Sequence, residues 1–76
     1  CGPCRMMAPE FADAAAMLSP GVILAKLDTD ASPRTSSKFS LAGIPTIILM
    51  RHGIETARQS GAMQSRQIVQ WVKQNL

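Results

Sequence analysis

Apolar residues recur at three- and four-residue spacing along the first quarter of the chain. Met7, Phe11, Ala14, Ala15 and Leu18 form one stripe, and Arg5, Glu10 and Asp13 fall outside it. That period predicts an amphipathic helix over residues 4–18, and the alanine-rich stretch from Ala12 to Ala16 favours helix strongly. Pro9 lies inside the pattern. It removes one backbone donor and predicts a kink rather than a stop. Ser19-Pro20-Gly21 ends the segment. The period then changes. Val22 to Asp28 (VILAKLD) is almost continuously aliphatic, which predicts a strand buried on both faces. Ser32 as N-cap and Pro33 at the first helical position open a short helix running to about Phe39. A strand follows over Thr46 to Arg51, then a tight turn at His52-Gly53 and an antiparallel strand from Ile54 to about Ser60. Gly61-Ala62 breaks that strand. The last segment, Ser65 to Leu76, is predicted helical, with Ile68, Trp71, Val72 and Leu76 on one face. Helix, strand, helix, strand, strand, helix is the order of an α/β sandwich with helices on both faces of a small mixed sheet.

Composition narrows the possibilities without changing this picture. Seventy-six residues make one domain or less, with a modest core. The longest apolar run, Ile44 to Met50, is interrupted by Pro45 and is far too short to span a bilayer, so no membrane role is expected. The net charge of +3 comes from eight basic residues scattered singly: Arg5, Lys26, Arg34, Lys38, Arg51, Arg58, Arg66 and Lys73. Nucleic-acid binders gather such charges on one face with aromatics between them. With two Phe, one Trp and no Tyr, this chain does not carry that pattern.

The chemistry lies in the two cysteines, Cys1 and Cys4. Two cysteines three apart clamp a single turn and constrain little of the unfolded ensemble, so the spacing points to reaction rather than stapling. Cys1-Gly2-Pro3-Cys4 stands at the mouth of the first predicted helix. Unpaired N–H groups and the helix dipole favour a negative charge there. The thiolate is the nucleophile of disulfide exchange. Cys1 would attack a substrate disulfide, and Cys4 would then attack Cys1 and release the reduced substrate. Pro3 rigidifies the turn, and Gly2 keeps the surface beside Cys1 open to a partner's backbone. Half of a zinc site has the same spacing. The chain holds no second CxxC, and His52 is its only histidine, so a metal or iron–sulfur site would need Cys1 and Cys4 from two copies at a dimer interface. His52 reads as a turn residue, Trp71 as core packing and Lys26 as a solvated strand residue. Met6, Met7 and Met17 lie on the alanine-rich helix and read as packing residues, with one of Met6 and Met7 the alternative flank of the active site.

Cys1-Gly2-Pro3-Cys4 followed by Arg5, the internal Pro9, Ala25-Lys26-Leu27-Asp28, Gly43-Ile44-Pro45-Thr46 and Gly61-Ala62 resemble the thioredoxin family in order and spacing, over essentially the whole chain. The likeness is nearest to bacterial members of the thioredoxin 2 type. It implies a thioredoxin-like three-layer α/β sandwich and reduction of protein disulfides in the cytoplasm. It also implies a thioredoxin reductase that regenerates the dithiol, and no cofactor. By the same resemblance the Ile44–Pro45 bond is cis, and Gly2, Pro3, Ile44, Pro45 and Gly61 form the apolar docking surface around the Cys1 sulfur.

The departure from the family is equally specific. Family members carry a strand, a helix and a central strand ahead of the cysteine pair, together with a Trp before the first Cys and a buried acid that assists the resolving thiol. Asp28 and Asp30 do not stand at that acid's position. The chain therefore reads as a thioredoxin-like domain over residues 1–76 that is truncated at its N-terminus. Unpaired strand edges are expected, with a homodimer or the preceding segment completing the sheet. An inactive thioredoxin fragment is the remaining alternative.

Overall fold

A computed structural model describes residues 2–27, 31–39 and 45–76. Helix α1 spans Gly2–Leu18, α2 spans Pro33–Lys38, β1 spans Thr46–Arg51, β2 spans Ile54–Ser60 and α3 spans Ser65–Asn75. The predicted stripe of α1 does face inward: Met7, Ala14 and Leu18 are buried, and Phe11 and Ala15 are half-buried. The helix begins two residues earlier than its apolar period, because Gly2 and Pro3 carry no stripe residue yet suit a first turn whose N–H groups are unpaired anyway. It runs through Pro9 and ends at Leu18, where Ser19 N–H still donates to the Ala15 carbonyl at 3.0 Å. Pro20 then has no N–H with which to continue.

β1 and β2 form an antiparallel hairpin, and this pair is the sheet among the described residues. His52 and Gly53 both have positive φ, 54° and 79°, the backbone of a type I′ turn, whose twist matches that of the strands it joins. Thr46 faces Ser60, Ile48 faces Arg58 and Leu49 faces Ala57, but Met50 faces Glu55. Thr56 is thus the extra residue of a β-bulge, and its hydroxyl donates to the Leu49 carbonyl at 3.2 Å. Alternation along the strands sends Ile47, Leu49 and Ala57 to the core, where α1 and α3 pack on each other. Ile48 and Arg58 lie on the opposite face. There Arg58 Nη2 donates to the Phe39 carbonyl at 2.6 Å, which ties the end of α2 to the second side of the hairpin.

Four expectations need correction. Met6 and Met17, expected to pack, are exposed, because they fall outside the apolar stripe of α1 that Met7 shares. The segment from Val22 to Leu27 is not a strand; Asp28 lies outside the described residues. A strand exists through ladder hydrogen bonds to a neighbour, and no described segment pairs with it. Burial is also one-sided. Val22 and Leu24 pack against the core, whereas Ile23 is 91% exposed. Leu76 lies past the end of α3 and is 58% exposed, so it does not share the buried face of Ile68 and Val72. Ser32 occupies the N-cap position of α2, but its side chain makes no capping bond. Its carbonyl instead accepts from Ser36 N–H at 3.1 Å and Ser36 Oγ at 3.0 Å.

The start of α3 is held by its own capping box, in which the Gln64 side chain also accepts from Gln67 N–H, and by a residue of α1. Gln64 N–H donates to Gln67 Oε1 at 2.8 Å, and Ser65 N–H donates to the Glu10 carboxylate on α1 at 2.8 Å. A carboxylate at a helix N-terminus answers both an orphan donor and the positive end of the dipole. Glu10→Ala should cost about 1–2 kcal/mol, and Glu10→Gln, which keeps an accepting oxygen, distinctly less, read from urea midpoints. In the core, Ile68 is fully buried. Ile68→Ala should cost about 2–5 kcal/mol, while Leu76→Ala at the exposed end should stay within about 0.5 kcal/mol. On the exposed β2 surface, two hydrogen bonds from Arg58 hold the Glu55 carboxyl below its ordinary range. A depressed carboxyl stabilises the fold above its unfolded pKa and loses that contribution as pH falls through the folded value. The difference in midpoint between the parent chain and Glu55→Gln should therefore shrink on acidification from about pH 7 to about pH 3.

Candidate active site

The cysteine motif and the proline motif belong to different elements, and the core determines how they stand. Gly2, Pro3 and Cys4 form the first turn of α1. Gly2 and Pro3 are exposed and Cys4 is half-buried. A Cβ added at Gly2 would meet nothing within 4 Å, so the surface there is open. The Cys4 sulfur is in a disulfide, and the sequence contains one other cysteine, Cys1, which lies outside the described residues. The first turn of α1 carries no acidic side chain to oppose negative charge at the helix N-terminus. Arg5 is exposed, where its field is heavily screened.

The second half of the site closes the open end of the hairpin. Gly61 N–H donates to the Pro45 carbonyl at 2.9 Å, one step beyond the Thr46–Ser60 pair. Two of the predicted docking residues, far apart in sequence, are thereby joined directly. Gly61 has φ of 98° and open space where a Cβ would sit. Glycine is needed there for its backbone conformation rather than for room. Ile44 lies outside the described residues, and with it the expected cis Ile44–Pro45 bond.

Glu10 is the residue that the apolar period overlooks. It falls outside the stripe of α1, yet its carboxylate reaches Ser65, four residues after Gly61. Glu10 stands at the middle of α1, six positions and about 9 Å along the helix from Cys4, so the bond ties the body of α1 to the segment that leaves Gly61. No local pattern in the sequence points to it, because Gln64 and Gln67 already form a capping box at the start of α3. Met7, one turn beyond Pro3, is buried in the same core as Leu49.

Among the described residues no cluster of three or more His, Cys, Asp or Glu could hold a metal ion, and no helix is long and apolar enough to cross a membrane. A surface depression of about 480 Å³, lined by Met17, Arg66, Val69, Gln70, Lys73 and Gln74, contains none of the predicted site residues.

Similarity to known proteins agrees with this arrangement. The thioredoxin family profile matches residues 1–74. The chain is 49% identical to thioredoxin C-3 of Corynebacterium nephridii over 76 residues, covering all of this chain and 52% of that protein. It is 40% identical to the thioredoxin of Chlamydia muridarum over 75 residues, covering 99% of this chain and 72% of the relative. A solved structure of thioredoxin-2, described as a component of malaria parasite protein secretion machinery, superposes with a TM-score of 0.90 at 27% identity, covering 97% of this chain and 72% of that one. The chain thus spans about half the length of the first relative and nearly three quarters of the others. With Cys4 in the first turn of an amphipathic helix, a proline–glycine bond closing the hairpin, and these likenesses running along its whole length, the chain belongs to the thioredoxin family.

Proposed function

We propose that the chain carries the redox centre of a thiol–disulfide oxidoreductase that reduces protein disulfides. The observation that carries this reading is a disulfide-bonded Cys4 in the first turn of an amphipathic helix, with the chain's other cysteine three positions earlier. In the dithiol form, the Cys1 thiolate attacks one sulfur of a substrate disulfide. A Cys1–substrate disulfide forms, and the second substrate sulfur leaves as a thiolate that takes up a proton. Cys4, having lost its proton, then attacks the Cys1 sulfur. The mixed disulfide breaks, the substrate's remaining sulfur leaves as a thiol, and the Cys1–Cys4 disulfide carries the two electrons' worth of oxidation. A reductase that supplies two electrons restores the dithiol, in keeping with a cytoplasmic setting.

Gly2, Pro3, Ile44, Pro45 and Gly61 form the surface that receives the substrate. Exposure of Gly2, Pro3 and Gly61 and the bond from Gly61 to Pro45 support this assignment. Residues 1–76 act as the part of a thioredoxin-like domain that begins at the cysteine pair. Bare Ile23, and a β1 that pairs with β2 alone among the described residues, are the places where a preceding strand, or that of a second copy, completes the sheet.

Cys1→Ser should abolish reduction of insulin disulfides, and Cys4→Ser should accumulate covalent substrate complexes that dithiothreitol releases, visible by mass spectrometry. Equal residual turnover in the two variants, without trapped complex, would overturn the division of roles.

A further inference from the structure

Met6 and Met7 are neighbours in sequence and opposites in environment. Met7 is 6% exposed and belongs to the core, whereas Met6 is 74% exposed. On α1, Met6 stands four residues after Gly2 and three after Pro3. It therefore shares a helix face with both, and helical side chains lean toward the N-terminal turn. The space beside Gly2 is open. A large, unbranched thioether is thus set in water beside the first turn that holds Cys4, where burial cannot account for it. Thioethers suit adaptable apolar contacts with a partner. They also accept an oxygen atom from hydroperoxides, which turns the side chain polar and is reversible by dedicated reductases.

We propose that Met6 is a methionine sulfoxide site that weakens substrate docking beside the cysteine pair; this rests on the exchange reading above. The step transfers one oxygen atom from a hydroperoxide to the Met6 sulfur. Sulfur is oxidised by two electrons, the O–O bond breaks, and water or an alcohol leaves. The product places a strong acceptor on a surface that works by apolar contact, so the substrate's affinity falls while the sulfur chemistry of Cys1 and Cys4 is untouched.

The test exposes the full chain to hydrogen peroxide with the cysteines held as the disulfide, then maps sulfoxides by peptide mass spectrometry. Met6 should oxidise before Met17 and Met50, which are 56% and 43% exposed, and Met7 should resist. After reduction with dithiothreitol, KM for a disulfide-bonded peptide should rise about threefold to tenfold, with the rate toward a small aromatic disulfide unchanged. In Met6→Leu, the ratio of KM after peroxide to KM before should stay near one. Oxidation of Met6 no faster than Met7, or an equal rise of KM in Met6→Leu, overturns the proposal while leaving disulfide exchange intact. An untreated chain that reduces no disulfide overturns the exchange reading itself, and the regulation of docking with it.

Discussion

Packing of α1 against α3 is the constraint on which the rest depends. Ala14 on α1 and Ile68 on α3 are both fully buried within one shared cluster. Leu49 enters the same cluster from β1 and Met7 from the start of α1. One apolar cluster therefore orients the helix that presents Cys4 and the hairpin that presents Pro45 and Gly61. The Ser65–Glu10 hydrogen bond adds direction to this contact. Apolar packing tolerates some sliding between helices, whereas a bond from one N–H to one carboxylate does not.

The hairpin answers a different requirement. It must end with Pro45 and Gly61 opposite each other, and the bulge at Thr56 shifts the pairing by one residue between that end and the turn. A two-residue turn with both φ values positive, the Thr56 hydroxyl bond and the Gly61–Pro45 bond hold the register at three points along it. Arg58 contributes on the far face, where one guanidinium serves both the Glu55 carboxylate and the Phe39 carbonyl. Planar donors in a fixed fork suit such a double role.

A CxxC pair by spacing alone is compatible with metal binding or with exchange. Placement favours exchange. Cys4 lies half-buried in the first turn of α1 beside exposed Gly2 and Pro3, and Met7 in the next turn anchors the helix in the core. A half-buried sulfur on a rigid helix suits the resolving role proposed for Cys4. Family membership points the same way.

Much of the architecture is legible in local pattern. The stripe of α1, the hairpin with its His52-Gly53 turn, the helix after Ser65 and the cysteine spacing all follow from periods of 3.6 and 2 and from residues with special backbone freedom. Those signals depend on neighbours within a few positions. Glu10 reaching Ser65 across 55 positions, Arg58 meeting Phe39, and Gly61 meeting Pro45 leave no such trace. The segment from Val22 to Leu27 shows the limit clearly. Its aliphatic run specifies a chain that seeks burial, but a strand also needs hydrogen-bond partners, and Ile23 stays bare for want of a covering element. Sequence by itself determined which side of each element is apolar and where the two cysteines stand along the chain. Tertiary structure alone decided which of those faces are covered and which distant groups meet, because burial and hydrogen bonding are properties of what lies across space rather than along the backbone.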